Sequence, residues 1–177
     1  MIPFGIFEPD HDFLTVVYGT TIETSDFIID ALELWWKNNM HRHQNIETVV
    51  INLDNGPHSH SHRTQFIKGM VEFAINIGIK VRLVYYPPYH SKYNPIERCW
   101  GFLEKHWNGT LLTSVEAVVR WTETMPGRGS RPDVYLLNKI YKNGMKLTKK
   151  VMRIYDNIII RSETLPKWDV LIDPTIG

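Results

Sequence analysis

Two acidic residues occupy positions from which carboxylates can serve phosphoryl chemistry. Asp54 closes the apolar run Thr48 to Leu53, and Glu97 lies in Asn94-Pro95-Ile96-Glu97, behind the stretch Tyr86-Pro87-Pro88-Tyr89-His90-Ser91-Lys92-Tyr93. Hard divalent ions such as magnesium prefer carboxylate oxygens, and a two-metal site needs several acids converging on ions roughly 3.5 to 4 Å apart. Each acid also has an ordinary reading. Asp54-Asn55-Gly56-Pro57 is a turn sequence, and an acid in the first turn of a helix is favoured by the helix dipole. Asn55 can orient Asp54 or a bound water, or simply form the turn. Glu104, two turns beyond Glu97, is about 10 Å away by helical rise, too far to share the same ions.

Other reactive side chains cluster nearby in sequence. His58, His60 and His62 alternate, and imidazoles this dense can bind transition metals, but a Gly-Pro turn precedes them and a helical pattern follows, so strand-like alignment is not expected. Cys99 has no activating partner in the sequence and reads as a packing residue. Arg63, Lys68, His90, Lys92, Arg98 and Lys105 flank the two acids and can contact phosphate, with Tyr86, Tyr89 and Tyr93 available to stack or bond to a nucleic-acid backbone. Arg128, Arg131, Lys139, Lys142, Lys146, Lys149, Lys150 and Arg153 make the C-terminal third more basic than the rest.

The elements that must hold these groups follow from pattern and turn chemistry. Pro3 to Phe7 and Phe13 to Tyr18 predict a β-hairpin around Glu8-Pro9-Asp10-His11-Asp12. Thr24 can cap a helix running to about Met40, with Phe27, Ile28, Ala31, Leu34 and Trp35 at helical spacing. Thr48 to Leu53 has the near-continuous apolarity of a strand covered on both faces, which places Asp54 at its C-terminal edge. Phe66, Ile67, Met70, Phe73, Ala74 and Ile77 form one helical stripe stopped by Gly78, and Lys80 to Tyr85 predicts another buried strand. Strand, helix, strand implies parallel neighbours joined by a right-handed crossover. Asn94 as cap and Pro95 at the first helical position open the helix of Trp100, Leu103 and Trp107, which ends at Asn108-Gly109. Ser114 opens another. Pro126 to Pro132 is the clearest linker. Helices are expected over Val134 to Tyr141 and Thr148 to Ile160, with a terminal strand at Trp168 to Ile172.

Bulk properties limit the function classes. At 177 residues and 43% hydrophobic the chain can bury a sizeable core, which excludes a disordered or collagen-like class. The net charge of +1 provides no whole-molecule basic field, so any nucleic-acid surface must be local. A single cysteine excludes an internal disulfide framework and fits a reducing cytoplasm. Neither a signal peptide nor an apolar run of membrane-spanning length is present, so no membrane partner is expected.

Taken together, the strand-ending Asp54-Asn55, the Tyr-Pro-Pro-Tyr segment and Asn94-Pro95-Ile96-Glu97 resemble the catalytic core of DDE transposases. The similarity is to the Tc/mariner-like superfamily, and most closely to the Rhodopirellula-type insertion-sequence transposases. It extends from Ile2 to roughly Trp168, including the Pro3-Phe4-Gly5-Ile6 hairpin and His106-Trp107-Asn108-Gly109. The resemblance implies a ribonuclease H-like fold, a mixed sheet flanked by helices, with a partial catalytic core over 1–125 and a mainly helical C-terminal extension over 126–177. It implies that Asp54 and Glu97 are catalytic, metal-binding acids for Mg2+ or Mn2+, that Asn55 and Asn94 support them, and that Arg63, His90, Lys92 and Arg98 contact DNA. The family's first catalytic acid lies on a strand for which this sequence has no counterpart. The expectation is therefore a truncated transposase, inactive alone in cleaving and joining transposon ends and target DNA. The alternative is a noncatalytic remnant that binds DNA or pairs with another copy or a full-length relative.

Overall fold

The computed structural model describes residues 1–87, 90–110, 113–126, 130–142, 144 and 147–176, with the backbone alone for Ser91 and Lys149. Tyr89, Arg128 and Lys146 lie outside the described residues. The architecture is mixed α/β, with two mixed sheets and five helices among the described residues. The chain divides into two compact units, Met1–Glu23 with Lys92–Tyr141 and Thr24–Ser91 with Lys142–Gly177.

In the first unit, β1 (Ile2–Glu8) and β2 (Phe13–Gly19) form the predicted antiparallel hairpin, with Gly5 opposite Val16. Helices α3 (Ile96–Trp107) and α4 (Val115–Glu123) also match the predicted elements. Ser114 caps α4 by accepting the Ala117 N–H at 3.1 Å. Leu14, Val16, Tyr18, Leu103, Val118 and Met125 make the core of this unit, with Cys99 and Trp107 packed against it. Within that core the Thr122 hydroxyl donates to the Val118 carbonyl at 2.8 Å. Its proton is thus committed, and the Tyr18 phenol donates to Thr122 Oγ1 at 2.7 Å.

The expected helix over Val134 to Tyr141 is instead strand β5 (Asp133–Leu137), pairing parallel to β2 with Thr15 opposite Asp133. A short apolar segment carries no decisive period, and here the free edge of β2 supplies backbone partners that a two-turn helix would have to find within itself.

The second unit is built on strand, helix, strand. Between α1 (Ser25–Asn39) and α2 (Thr64–Ile77) runs β3 (Thr48–Leu53), and α2 is followed by β4 (Lys80–Tyr85). Thr24 caps α1 by accepting the Phe27 N–H, and Gly78, at φ +67°, closes α2. Helix α1 meets α2 where Gly69 faces Ile29; a β-carbon there would lie 2.6 Å from Ile29 Cγ1. Phe66, Ile67, Met70, Phe73 and Ala74 are buried as the stripe predicts.

Strands β3 and β4 are parallel, Thr48 opposite Lys80. They are not covered on both faces. Val50 is 54% exposed and Arg82 is exposed, because β3 is an edge strand and each strand buries alternate residues.

The expected helix over Thr148 to Ile160 shrinks to the single turn α5 (Lys149–Met152), followed by a 3-10 stretch (Arg153–Ile158) and strand β6 (Ile159–Arg161). Three consecutive isoleucines, Ile158 to Ile160, favour extended backbone, and β7 (Asp169–Ile172), where a strand was expected, pairs with both β4 and β6. Among the described residues the C-terminal segment thus combines a short helical stretch over 149–158 with strands β5, β6 and β7. Arg82 reaches across to Asp169 with two hydrogen bonds of 2.9 and 2.6 Å, and Lys80 to Asp173 at 3.0 Å. No helix among the described residues is long and apolar enough to cross a membrane.

Candidate functional site

The two acids are held by different means, one in each unit. Asp54 is exposed and lies directly beyond β3, at the C-terminal edge of the parallel pair, where Tyr86 N–H continues the ladder to the Leu53 carbonyl at 2.9 Å. The loop that follows is pinned largely through its carbonyls. Ser59 Oγ donates to the Asp54 carbonyl at 3.4 Å, Tyr85 Oη to that of Ser59 at 2.9 Å, Ser25 Oγ to that of His58 at 2.8 Å, and Arg161 to that of Ser61 at 2.8 Å. Burial raises the Tyr85 phenol far above its ordinary range, so it remains a protonated donor. Gly56 sits beside the carboxylate, with the position a β-carbon would take 3.3 Å from Asp54 Oδ1. Asn55 is exposed next to it.

Glu97 occupies the first turn of α3 and is exposed. Pro95 stands at the cap position, while Asn94 accepts the Ile96 N–H through Oδ1 at 3.4 Å and the Glu97 N–H through its carbonyl at 3.1 Å. The helix start is seated on β1 by a missing side chain. At Gly5 a β-carbon would lie 2.7 Å from Trp100 Cζ2 and 2.9 Å from Ile96 Cδ1. Gly5 thus lets α3 settle onto the hairpin at the turn that carries Glu97.

The remaining candidates divide clearly. Arg98 is exposed one residue beyond Glu97, and Lys92, also exposed, lies over the Tyr93 ring at 5.0 Å. His90 is exposed, and Arg63 immediately precedes α2. Lys68 pairs with Glu72 at 2.7 Å. His58 and His62 lie on turns with His60 between them, and the three sets of ring nitrogens do not gather within 4.8 Å of one another. Burial first, and then nearby Asp12, raise the Cys99 thiol, which suits its packed position and not a nucleophile.

Sequence reading missed the groups that hold the acids: Ser25, Ser59, Tyr85 and Arg161 around Asp54, and Gly5 beneath Glu97. Of these, Gly5 alone left a local signal, a glycine inside a strand pattern, which marks close approach. As oxygen donors, Asp54 and Glu97 suit magnesium or manganese. Both are exposed, and neither forms an ion pair with lysine or arginine among the described residues, so the carboxylate oxygens are available to a cation.

Among the described residues the chain is thus a mixed α/β protein with Asp54 directly beyond a strand and Glu97 in the first turn of a helix. The family model described as Rhodopirellula transposase DDE domain matches residues 1–174, and the chain belongs to that family. No curated protein and no solved structure matches it.

Proposed function

We propose that this domain is the ribonuclease H-like part of an insertion-sequence transposase and that Asp54 and Glu97 are two of its metal-binding acids. The observation that supports this reading is the family match over 1–174, which takes in both acids and the segment between them. Magnesium or manganese, when bound, would activate water or a 3′ hydroxyl for in-line attack on a phosphodiester and stabilise the leaving oxygen. Asp54 and Glu97 would each supply carboxylate oxygens to such a cation, with Asn55 and Asn94 in support, and Arg63, His90, Lys92 and Arg98 contact the DNA backbone. Transposon ends and target DNA are the substrates, and the partner is a second copy or a full-length relative.

A noncatalytic reading has one specific support. The sequence presents Asp10 and Asp12 in the turn of a hairpin, not on a strand, so neither is placed like the family's remaining acid. On this second reading the protein binds metal without nicking transposon-end DNA. Calorimetric titration with Mn2+ tests the acids: binding is expected in the parent and lost in the Asp54→Asn/Glu97→Gln double variant. Equal binding by both proteins would refute the assignment.

A further inference from the structure

The loop after Asp54 and the hairpin formed by β6 and β7 bring five cationic or titratable groups together: His60, His62, Arg63, Arg161 and Lys167. The backbone N–H of His62 donates to His60 Nδ1 at 3.3 Å, and Arg161 ties the loop to its own strand by donating to the carbonyls of Ser61 at 2.8 Å and Pro166 at 3.1 Å. Those two bonds use two of the five guanidinium N–H groups, so three remain for a ligand. None of the five residues pairs with a carboxylate among the described residues. After burial, the charges that lower the His62 imidazole are Arg161 and Lys167; those that lower His60 are His62 and Arg63. Like charges assembled without a counterion repel one another, and a bound anion reverses that cost. The start of α2 follows at once, with neither an acidic residue in its first turn nor a side-chain cap.

We propose that His60, His62, Arg63, Arg161 and Lys167 form a binding site for the phosphodiester backbone of duplex DNA. A backbone rather than a single phosphate fits a patch assembled from the His loop, the start of α2 and the β6–β7 hairpin, with His62 and Lys167 exposed and Arg161 held between its two carbonyls. The inference rests on the reading that this chain acts on DNA, and to Arg63, which that reading already places on the backbone, it adds His60, His62, Arg161 and Lys167.

The test is fluorescence anisotropy with a duplex oligonucleotide and the full chain in EDTA, so that it is independent of metal. In the parent, log Kd should rise with log salt. Lys167→Gln should lower that slope by about 1 at pH 8 and weaken binding several-fold at low salt. At pH 8 the imidazoles are neutral, so His62→Gln should have no effect there and should weaken binding at pH 6, where phosphate favours the protonated ring. Lys37→Gln, an exposed lysine in the last turn of α1, is the control expected to match the parent. A parent without salt-dependent binding, or a Lys167→Gln variant indistinguishable from Lys37→Gln, would overturn the proposal. The metal-binding acids are judged separately by the Mn2+ titration, so failure of this patch leaves their assignment standing.

Discussion

The two units solve one problem, fixing an exposed carboxylate, with opposite resources. In the first, Glu97 is positioned by packing: Trp100 and Ile96 press onto Gly5, and α3 behind them is anchored by Leu103 in an apolar core. In the second, Asp54 is positioned by polar bonds, a loop whose carbonyls are claimed by Ser59, Tyr85, Ser25 and Arg161. Packing tolerates loss of a polar group but not added volume, whereas a hydrogen-bonded loop tolerates neighbouring volume changes but not loss of a donor. The acids should therefore respond to different substitutions.

The largest effect is expected from Gly5→Ala. The added methyl meets ring carbons of Trp100 and the Ile96 side chain below 3 Å, and overpacking of this kind costs about 1 to 3 kcal/mol. Urea denaturation should show the loss, and amide exchange should rise through 96–107 more than through 56–63. Next is Tyr85→Phe, which strips the Ser59 carbonyl of its phenol donor and should cost about 1 kcal/mol. Here exchange should rise in 56–63 while 96–107 keeps its protection; a reversed pattern would break the contrast between the units.

The smallest effect concerns pH. Hydrogen bonds from Arg82, and then its charge, hold the Asp169 carboxyl below its ordinary value. A depressed carboxyl stabilises the fold above the unfolded-state value and loses that contribution as pH falls through the folded one. The pair is partly exposed, so the gain is small and screened by salt. The melting temperature should fall slightly more steeply below about pH 4 in the parent than in Asp169→Asn, and added salt should narrow the difference.

Local signals made much of this molecule legible. The hairpin, α1, the strand-helix-strand unit, α3 and α4 each carry their own period, cap or turn, so Thr24, Gly78 and Ser114 could be read as boundaries without tertiary knowledge. The placement of Asp54 and Glu97 was legible for the same reason, since each sits at the end of an element and the element marks the place. Strands β5 and β6 were misread because their identity lies in their partners. Val134 to Leu137 is extended because β2 offers a free edge, and Ile159 to Arg161 because β7 does. The pinning of the Asp54 loop was invisible for a related reason, since Tyr85 and Arg161 meet it across 26 and 100 residues respectively. Nothing in the spacing of either residue announces a carbonyl partner.

The interleaving of the units also sets an order for folding. Each is made of two chain segments, and each interrupts the other: Thr24–Ser91 separates the hairpin from α3, and Lys92–Tyr141 separates β4 from β6 and β7. The turn of the hairpin and the β3-α2-β4 unit close over short stretches, while the pairings of β2 with β5 and of β4 with β7 close loops several times longer. Loop-closure entropy grows with the logarithm of length, by about 0.6 kcal/mol per doubling, and long-range pairings slow folding. The late contacts are thus those that complete each sheet, and cutting the chain at any single point between 24 and 141 removes a strand or helix from at least one unit. The two units, each compact by itself, are inseparable along the backbone.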